Sequence, residues 1–128
     1  MSYTLLVLLS ITAPAADSKE ANPQADLATA IPHALALIQA DEFENFIRHY
    51  AVPKELEKIL GQKTLEELVR GFAKDHAARV ALLLEEIQDK QPKLSADGNI
   101  AQYPIDLKNF SRKQLVFEKI GGLWYLRN

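Results

Sequence analysis

The chain contains no cysteine among its 128 residues. This absence excludes disulfides, zinc sites with thiolate ligands, thiol catalysis and a lipid anchor on cysteine. The chain also lacks a large excess of one charge, since it has 15 basic and 17 acidic residues and no long run of either. Bulk charge therefore gives no support for binding nucleic acid or an anionic membrane. The 48% of apolar residues suffices for one domain with a single core.

Catalytic and metal-binding motifs are missing as well. The histidines at 33, 49 and 76 form no H-x-H or H-E-x-x-H pattern, so we predict no metal site. No serine or threonine lies in a nucleophile-elbow context, and no phosphate-loop pattern surrounds the glycines at 121–122. The sequence also predicts no cofactor.

The first 15 residues have the order of a secretory signal peptide. An apolar run at 5–11 precedes a small-x-small site ending at Ala15, and the run is too short to span a bilayer. The departure is that no lysine or arginine precedes the run. We expect the protein to be exported, to be cleaved after Ala15 and not to stay inserted in a membrane. The alternative is that the apolar run forms a buried first strand. Residues 16–24 are then predicted to be a flexible lead-in, and 25–128 a single domain.

Apolar residues recur at helical spacing after the lead-in. A capping box at 41–44 predicts the start of a second helix, and Pro53 opens a short third one. A second capping box at 64–67 predicts the start of the longest helix, which is expected to run to about residue 88. Its predicted apolar face carries His76 near the middle.

Beyond the helices the apolar period changes from about 3.6 to 2, which predicts strands. Asp97-Gly98 and Gly121-Gly122 are typical of tight hairpins, the second with positive φ. The sequence thus predicts an α+β fold in which N-terminal helices pack on a curved antiparallel sheet of three to four strands. The predicted strands are 93–96, 100–107, 113–120 and 123–127.

Three stretches resemble the nuclear-transport-factor-2-like superfamily, and within it small exported bacterial proteins of unassigned function. They are 40–46 (Ala-Asp-Glu-Phe-Glu-Asn-Phe), 50–53 (Tyr-Ala-Val-Pro) and 115–126 (Leu-Val-Phe-Glu-Lys-Ile-Gly-Gly-Leu-Trp-Tyr-Leu). The resemblance implies a sheet curled around helices into a cone whose open end often holds a small molecule. Members include isomerases and dehydratases that use Asp, His or Tyr inside the cone, and binding modules without chemistry. The chain departs from the commonest form in its long helix.

Five residues are candidates for a site in such a cone. His76 lies on the predicted apolar face, where an imidazole partly shielded from water suits acid–base chemistry, and Arg79 is close to it. Tyr50, Tyr103 and Trp124 each offer an apolar body with one polar handle that can orient a bound molecule. The structural alternative is that the aromatic residues belong to the core and that His76 bonds a backbone carbonyl.

The loop at 108–113 gathers three basic residues and an aromatic one. Such a loop can hold a phosphate-bearing or single-stranded partner. We favour the simpler interpretation of a solvated loop whose charges protect a sheet edge.

These observations predict an exported, non-enzymatic domain that binds a small molecule or a protein partner in or at the mouth of a cone-shaped pocket. The first alternative is a cone-pocket enzyme of isomerase or dehydratase type, with His76 as general acid or base and Tyr103 or an acidic strand residue assisting. A His–Asp pair would need a carboxylate from another element, such as Asp41, Asp106 or Glu118. The second alternative is an interaction module that forms a homodimer through its sheet.

Overall fold

The computed structural model describes residues 22–127, and the predicted signal peptide at 1–15 lies outside that range. Helices come first and an antiparallel sheet follows, which confirms the predicted α+β class. In the described residues one turn of 3-10 helix, Pro23–Ala25, precedes five α-helices: α1 (Leu27–Gln39), α2 (Phe43–Tyr50), α3 (Pro53–Leu60), α4 (Leu65–Asp75) and α5 (Ala77–Ile87). The strands described are β1 (Lys93–Leu94), β2 (Ile100–Pro104), β3 (Gln114–Ile120) and β4 (Leu123–Leu126), and each pairs with the next along the chain.

The sheet packs one face against the helices. Its register places Ala101 opposite Phe117 and Phe117 opposite Leu126, so these three side chains lie in one row on the inner face. Ala101 and Phe117 are fully buried and join apolar side chains of α1 and α5 in one core. The alternate residues, such as Gln102 and Val116, lie on the outer face and stay partly exposed. The period of two predicted for these strands is therefore confirmed.

The glycine pair forms the tight hairpin that the sequence predicts. Gly121 and Gly122 have φ angles of 60° and 84°, and Ile120 pairs directly with Leu123 across the turn. Two successive residues with positive φ match the twist of the flanking strands, and glycine adopts this backbone without steric cost.

Replacing Gly122 with alanine is expected to lower the free energy of unfolding by about 1–2 kcal/mol, because a Cβ is disfavoured at positive φ. The matched control is Gly71→Ala in the interior of α4, where a Cβ meets open space. That change should raise stability by about 0.5–1 kcal/mol, because alanine is the better helix former. Urea unfolding of both variants measures the difference. A Gly122→Ala protein as stable as the wild type would contradict the hairpin assignment.

The predicted helix over 65–88 is broken at His76, so that prediction of one continuous helix was wrong. His76 has φ −130° and ψ −26°, which ends α4 and precedes α5. The two halves pack on different neighbours, α4 on α2 and α5 on α1. Phe72 of α4 contacts the rings of Phe43 and Phe46, with centroid distances of 5.9 and 5.3 Å. The break leaves His76 exposed rather than on a buried face.

Of the two predicted capping boxes, one forms. Thr64 Oγ1 accepts a bond from the backbone N–H of Glu67 at 3.1 Å, and Glu67 Oε1 accepts one from the N–H of Thr64 at 2.9 Å. At 41–44 the chain instead closes the end of α1. Asp41 has φ 60°, and the N–H groups of Asp41 and Glu42 donate to the carbonyls of Ile38 and Leu37. This is a Schellman motif, in which a short polar residue tolerates the left-handed conformation.

Residues 22–24, the end of the predicted flexible lead-in, are part of the folded domain. Asn22 caps the first 3-10 turn, and its Oδ1 accepts from the N–H of Gln24 at 2.9 Å. The Gln24 side chain is buried, and its Nε2 donates to the carbonyls of His49 at 2.6 Å and Trp124 at 3.0 Å. One amide thus joins the start of the domain to α2 and β4. The rest of the predicted lead-in, 16–21, lies outside the described residues.

Candidate functional site

A cleft of about 480 Å³ opens among α2, α3, α4 and α5 at one end of the sheet. Its volume lies within the range of about 300–1,000 Å³ typical of small-molecule sites. Neither α3 nor α4 has a fully buried residue, although both helices are amphipathic. The apolar wall of the cleft includes Phe46, Leu56, Ile59, Phe72, Leu115 and Leu126.

Charged side chains lie around this apolar wall. Two of them are acidic, Glu55 and Asp75, and His76 lies beside the second. The cations are more numerous, and they come from four separate parts of the chain: Lys63, Arg79, Arg112 and Arg127. The cleft thus combines an apolar interior with an excess of positive charge.

The structure places three of the five predicted site residues at this cleft. Tyr50, His76 and Arg79 line it, whereas Tyr103 and Trp124 do not. Tyr103 is 2% exposed and packs edge-on against Phe117 in the core, where burial raises the pKa of its phenol. Trp124 is 6% exposed, and Lys119 Nζ lies 5.7 Å from the centre of its ring. Tyr103 and Trp124 therefore occupy core positions, which was the alternative to a role in the site.

The hydroxyl of Tyr50 is already occupied by neighbours on α1. It donates to the carbonyl of Ala30 at 3.1 Å and lies 2.7 Å from Nδ1 of His33. Because a phenol has one proton, its oxygen accepts the second bond from an Nδ1–H of His33. Burial raises the pKa of Tyr50 well above its usual range. The ring of Tyr50 therefore contributes apolar surface to the cleft, while its polar handle serves the packing of α2 on α1.

His33 and His49 lie beside this tyrosine, and their ring centres are 6.0 Å apart. Burial lowers the pKa of His33 below its ordinary value, and the nearby His49 lowers that pKa further. Glu42 acts in the opposite direction but more weakly. His33 is therefore more readily protonated in the unfolded chain than in the folded one.

Acidification is expected to destabilise the protein through His33. Because the folded pKa of His33 lies below its ordinary value of 6.5, the unfolded chain binds more protons at this site, and the free energy of unfolding rises with pH across this window. Stability should fall as the pH drops through about 6.5 towards the folded pKa, and this contribution should level off below it. Urea unfolding at a series of pH values should give a shallower dependence for His33→Gln. Identical slopes for the two proteins would contradict this.

His76 lines the cleft, and within residues 22–127 no carboxylate forms with it the ion pair that acid–base chemistry would use. Asp41, Asp106 and Glu118, the carboxylates considered from sequence, do not line the cleft. Glu118 instead forms an ion pair with Arg127 at 3.6 Å on the sheet. Within residues 22–127 no side-chain hydrogen bond orients the imidazole of His76.

Arg127 was not among the site residues predicted from the sequence, and Arg112 was considered only as part of the basic loop at 108–113. For that loop a solvated, edge-protecting role was favoured over binding of a phosphate-bearing partner, and Arg127 directly follows β4. Both also line a second hollow of about 360 Å³, together with Gln102 and Gln114 on the outer face of the sheet. The two arginines thus lie between the cleft and this hollow. The cluster of basic residues at 108–113 is visible in the sequence, but no sequence pattern indicates that it lies close to Arg127 in the fold.

Over the described part of the chain, no cluster of three or more histidine, aspartate or glutamate side chains is arranged to hold a metal ion. In the same part of the chain no helix is long and apolar enough to cross a membrane. Comparison of the sequence with models of known protein families and with curated proteins, and of the fold with solved structures, finds no match. The resemblance to the nuclear-transport-factor-2-like superfamily therefore stays a prediction.

Proposed function

We propose that this protein is a small binding domain whose cleft holds a molecule with an apolar body. The observation that carries the proposal is the incomplete burial of α3 and α4. Leu56 and Ile59 of α3, and Leu68 and Phe72 of α4, direct apolar surface at the cleft and remain only partly buried. A ligand that fills the cleft would remove this apolar surface from water. The hydrophobic effect would then contribute favourably to the free energy of binding.

Binding is supported better than catalysis by the polar groups in the cleft. The hydroxyl of Tyr50 is bonded to α1, and the exposed His76 has no oriented partner in the described residues. General acid–base chemistry needs a group held within hydrogen-bond reach of its proton, usually by a second residue. The cleft residues supply apolar surface and charge, which are what a binding site needs.

Gly71 offers a way to fill the cleft without disturbing the core. It lines the cleft from the interior of α4, and a Cβ added there meets open space. Gly71→Leu should keep or raise stability, because leucine is a good helix former. Its side chain should occupy ligand volume and weaken binding of the neutral fluorescent probe N-phenylnaphthylamine by about tenfold or more, which corresponds to about 1.4 kcal/mol.

The matched control is Ala73→Leu, at an exposed position of the same helix that does not line the cleft. Probe titration by fluorescence should show wild-type affinity for this control. A wild-type protein that does not bind the probe, or a Gly71→Leu protein that binds it as well as the wild type, would overturn the proposal.

We also propose that the domain is exported and that it belongs to the nuclear-transport-factor-2-like superfamily. The apolar run and small-x-small site near the N-terminus support export, and helices followed by an antiparallel meander are compatible with the superfamily. Expression in a bacterial host with the native N-terminus should yield a periplasmic chain whose mass begins at Ala16. An intracellular chain that keeps Met1 would refute export.

A second candidate function is dimerisation through the sheet. It is favoured by the outer face, where Ile100, Val116 and Tyr125 are apolar and only partly buried. Sedimentation of the purified protein should then give twice the mass of the chain, and Val116→Lys should return it to a monomer. A monomeric wild type at micromolar concentration would leave the cleft as the sole proposed interaction site.

A further inference from the structure

We propose that the ligand of the cleft carries an acidic group, which is held by Arg112 and Arg127 while its hydrocarbon body lies on the apolar wall. This inference rests on the proposed binding function and names the chemical class of the ligand. The class is an amphipathic acid, with a hydrocarbon chain and a carboxylate or phosphate head.

The two arginines are positioned by the ends of neighbouring strands. The backbone N–H of Arg127 donates to the carbonyl of Val116 at 2.9 Å, so this residue extends the pairing of β4 with β3. Arg112 lies just before β3, where the N–H of Ile105 donates to the carbonyl of Lys113 at 2.9 Å and fixes the end of the loop. Two backbone hydrogen bonds that extend the strand pairing thus bring residues of separate segments to one edge of the cleft.

The cleft that these arginines line also has apolar side chains close to them in the sequence. Leu115 lies on β3 three residues after Arg112, Leu126 ends β4 directly before Arg127, and both leucines line the cleft. Leu115 is 2% exposed and belongs to the core, so the floor here is fixed. A molecule that lies on this floor places one end against the leucines and the other against the arginines.

The charges around the cleft favour an anion. Four basic side chains line it against two acidic ones, and Arg112 and Arg79 form no ion pair within residues 22–127. Arg127 pairs with Glu118 only at 3.6 Å, and the two side chains are 48% and 33% exposed. An exposed pair of this kind is weak, and a guanidinium has five N–H donors, so Arg127 keeps donors for a ligand.

Guanidinium groups are well suited to this role. Their planar fork of N–H donors matches the two oxygens of a carboxylate or phosphate, and they are charged at every physiological pH. The adjoining hollow, lined by Gln102 and Gln114 as well as both arginines, leaves room for a head larger than a carboxylate. The hydrocarbon chain of one ligand would thus lie in the apolar cleft and its head in the polar hollow.

The test compares ligands that share a ten-carbon chain and differ in the head. Decanoate, decyl phosphate, decanol and decylamine are titrated against the protein loaded with N-phenylnaphthylamine, and displacement of this neutral probe gives each affinity. We expect decanoate or decyl phosphate to bind about tenfold or more tightly than decanol, because charge-assisted hydrogen bonds are strong. Decylamine should bind more weakly than decanol. Whichever acid binds more tightly identifies the head group.

Substitutions of the two arginines then test whether they bind the acidic head of the ligand. Arg112→Gln and Arg127→Gln should each reduce the affinity for the acid about tenfold and leave that for decanol unchanged within about twofold. The matched control is Arg70→Gln, an exposed arginine of α4 that does not line the cleft. Added salt should weaken binding of the acid but not of decanol.

The outcomes separate the two proposals. If decanol binds and the acids bind no better, the acidic-ligand inference is overturned while the binding function stands. If the acids bind better but keep their affinity in Arg112→Gln and Arg127→Gln, the head is held elsewhere and the assignment to these arginines is overturned. If the wild-type protein does not bind the probe, the proposed binding function itself fails.

Discussion

Replacing Phe117 with alanine is expected to lower the free energy of unfolding by about 3–5 kcal/mol, the usual cost of truncating a buried phenylalanine. Phe117 is 0% exposed and lies on β3, which pairs on both sides. Its ring packs edge-on against Tyr103 with the centroids 6.1 Å apart. Alanine leaves a cavity between the sheet and the helices, since neighbouring strands cannot close it without breaking their register.

Urea unfolding followed by circular dichroism measures this change. Since small domains have about 5–15 kcal/mol of stability in total, the variant should unfold at a much lower urea concentration. The matched control is Leu82→Ala, a side chain that is 51% exposed on α5. That change should cost no more than about 0.5 kcal/mol. A similar loss for both variants would place Phe117 outside the core.

Replacing Gln24 with leucine is expected to cost about 2–4 kcal/mol. The side chain is 4% exposed, and its amide satisfies the carbonyls of His49 and Trp124. Leucine has a similar size but no donor, so two backbone acceptors lose their partner, and an acceptor left unsatisfied in a buried place costs about 1–3 kcal/mol.

A second substitution at the same position separates hydrogen bonding from packing. Gln24→Glu keeps the shape but replaces the donor by a carboxylate, which can only accept. This variant should be at least as destabilised as Gln24→Leu at neutral pH. The matched control, Gln62→Leu at an exposed position, should change stability by no more than about 0.5 kcal/mol. A Gln24→Glu protein as stable as the wild type would show that the amide is not the tie between the start of the domain and β4.

Much of the fold follows from local rules, which is why it could be predicted. The hairpin at Gly121-Gly122 depends on two neighbouring residues that tolerate positive φ, and the capping box at Thr64 on residues three positions apart. The alternation along β2 and β3 depends on a period of two. In each case residues close in the sequence determine the geometry.

The break at His76 was missed because the apolar spacing continues through it. Phe72 and Val80 stand at helical distances on either side, so periodicity alone predicts one helix. The two halves separate because α4 packs on α2 and α5 on α1. This is a tertiary effect, and neither glycine nor proline marks it in the sequence.

The site was predicted only in part for the same reason. Tyr50 and Arg79 lie on helices and His76 at the break between two of them, and the structure places all three at the cleft. Arg112 and Arg127 meet there because β3 pairs with β4. Gln24 bonds Trp124, 100 positions away. Contacts between such distant segments depend on how the sheet and helices are assembled, which no local pattern contains.

The most direct test of the binding cleft is to titrate decanol into isotope-labelled protein and to record the amide resonances. We predict that the largest shifts occur at cleft residues such as Leu56, Gly71 and Leu126, and that these shifts saturate together. Small shifts should be seen at Ile100 and Val116 on the outer face of the sheet. Saturating shifts confined to that outer face, or none at all, would show that the cleft does not bind the ligand.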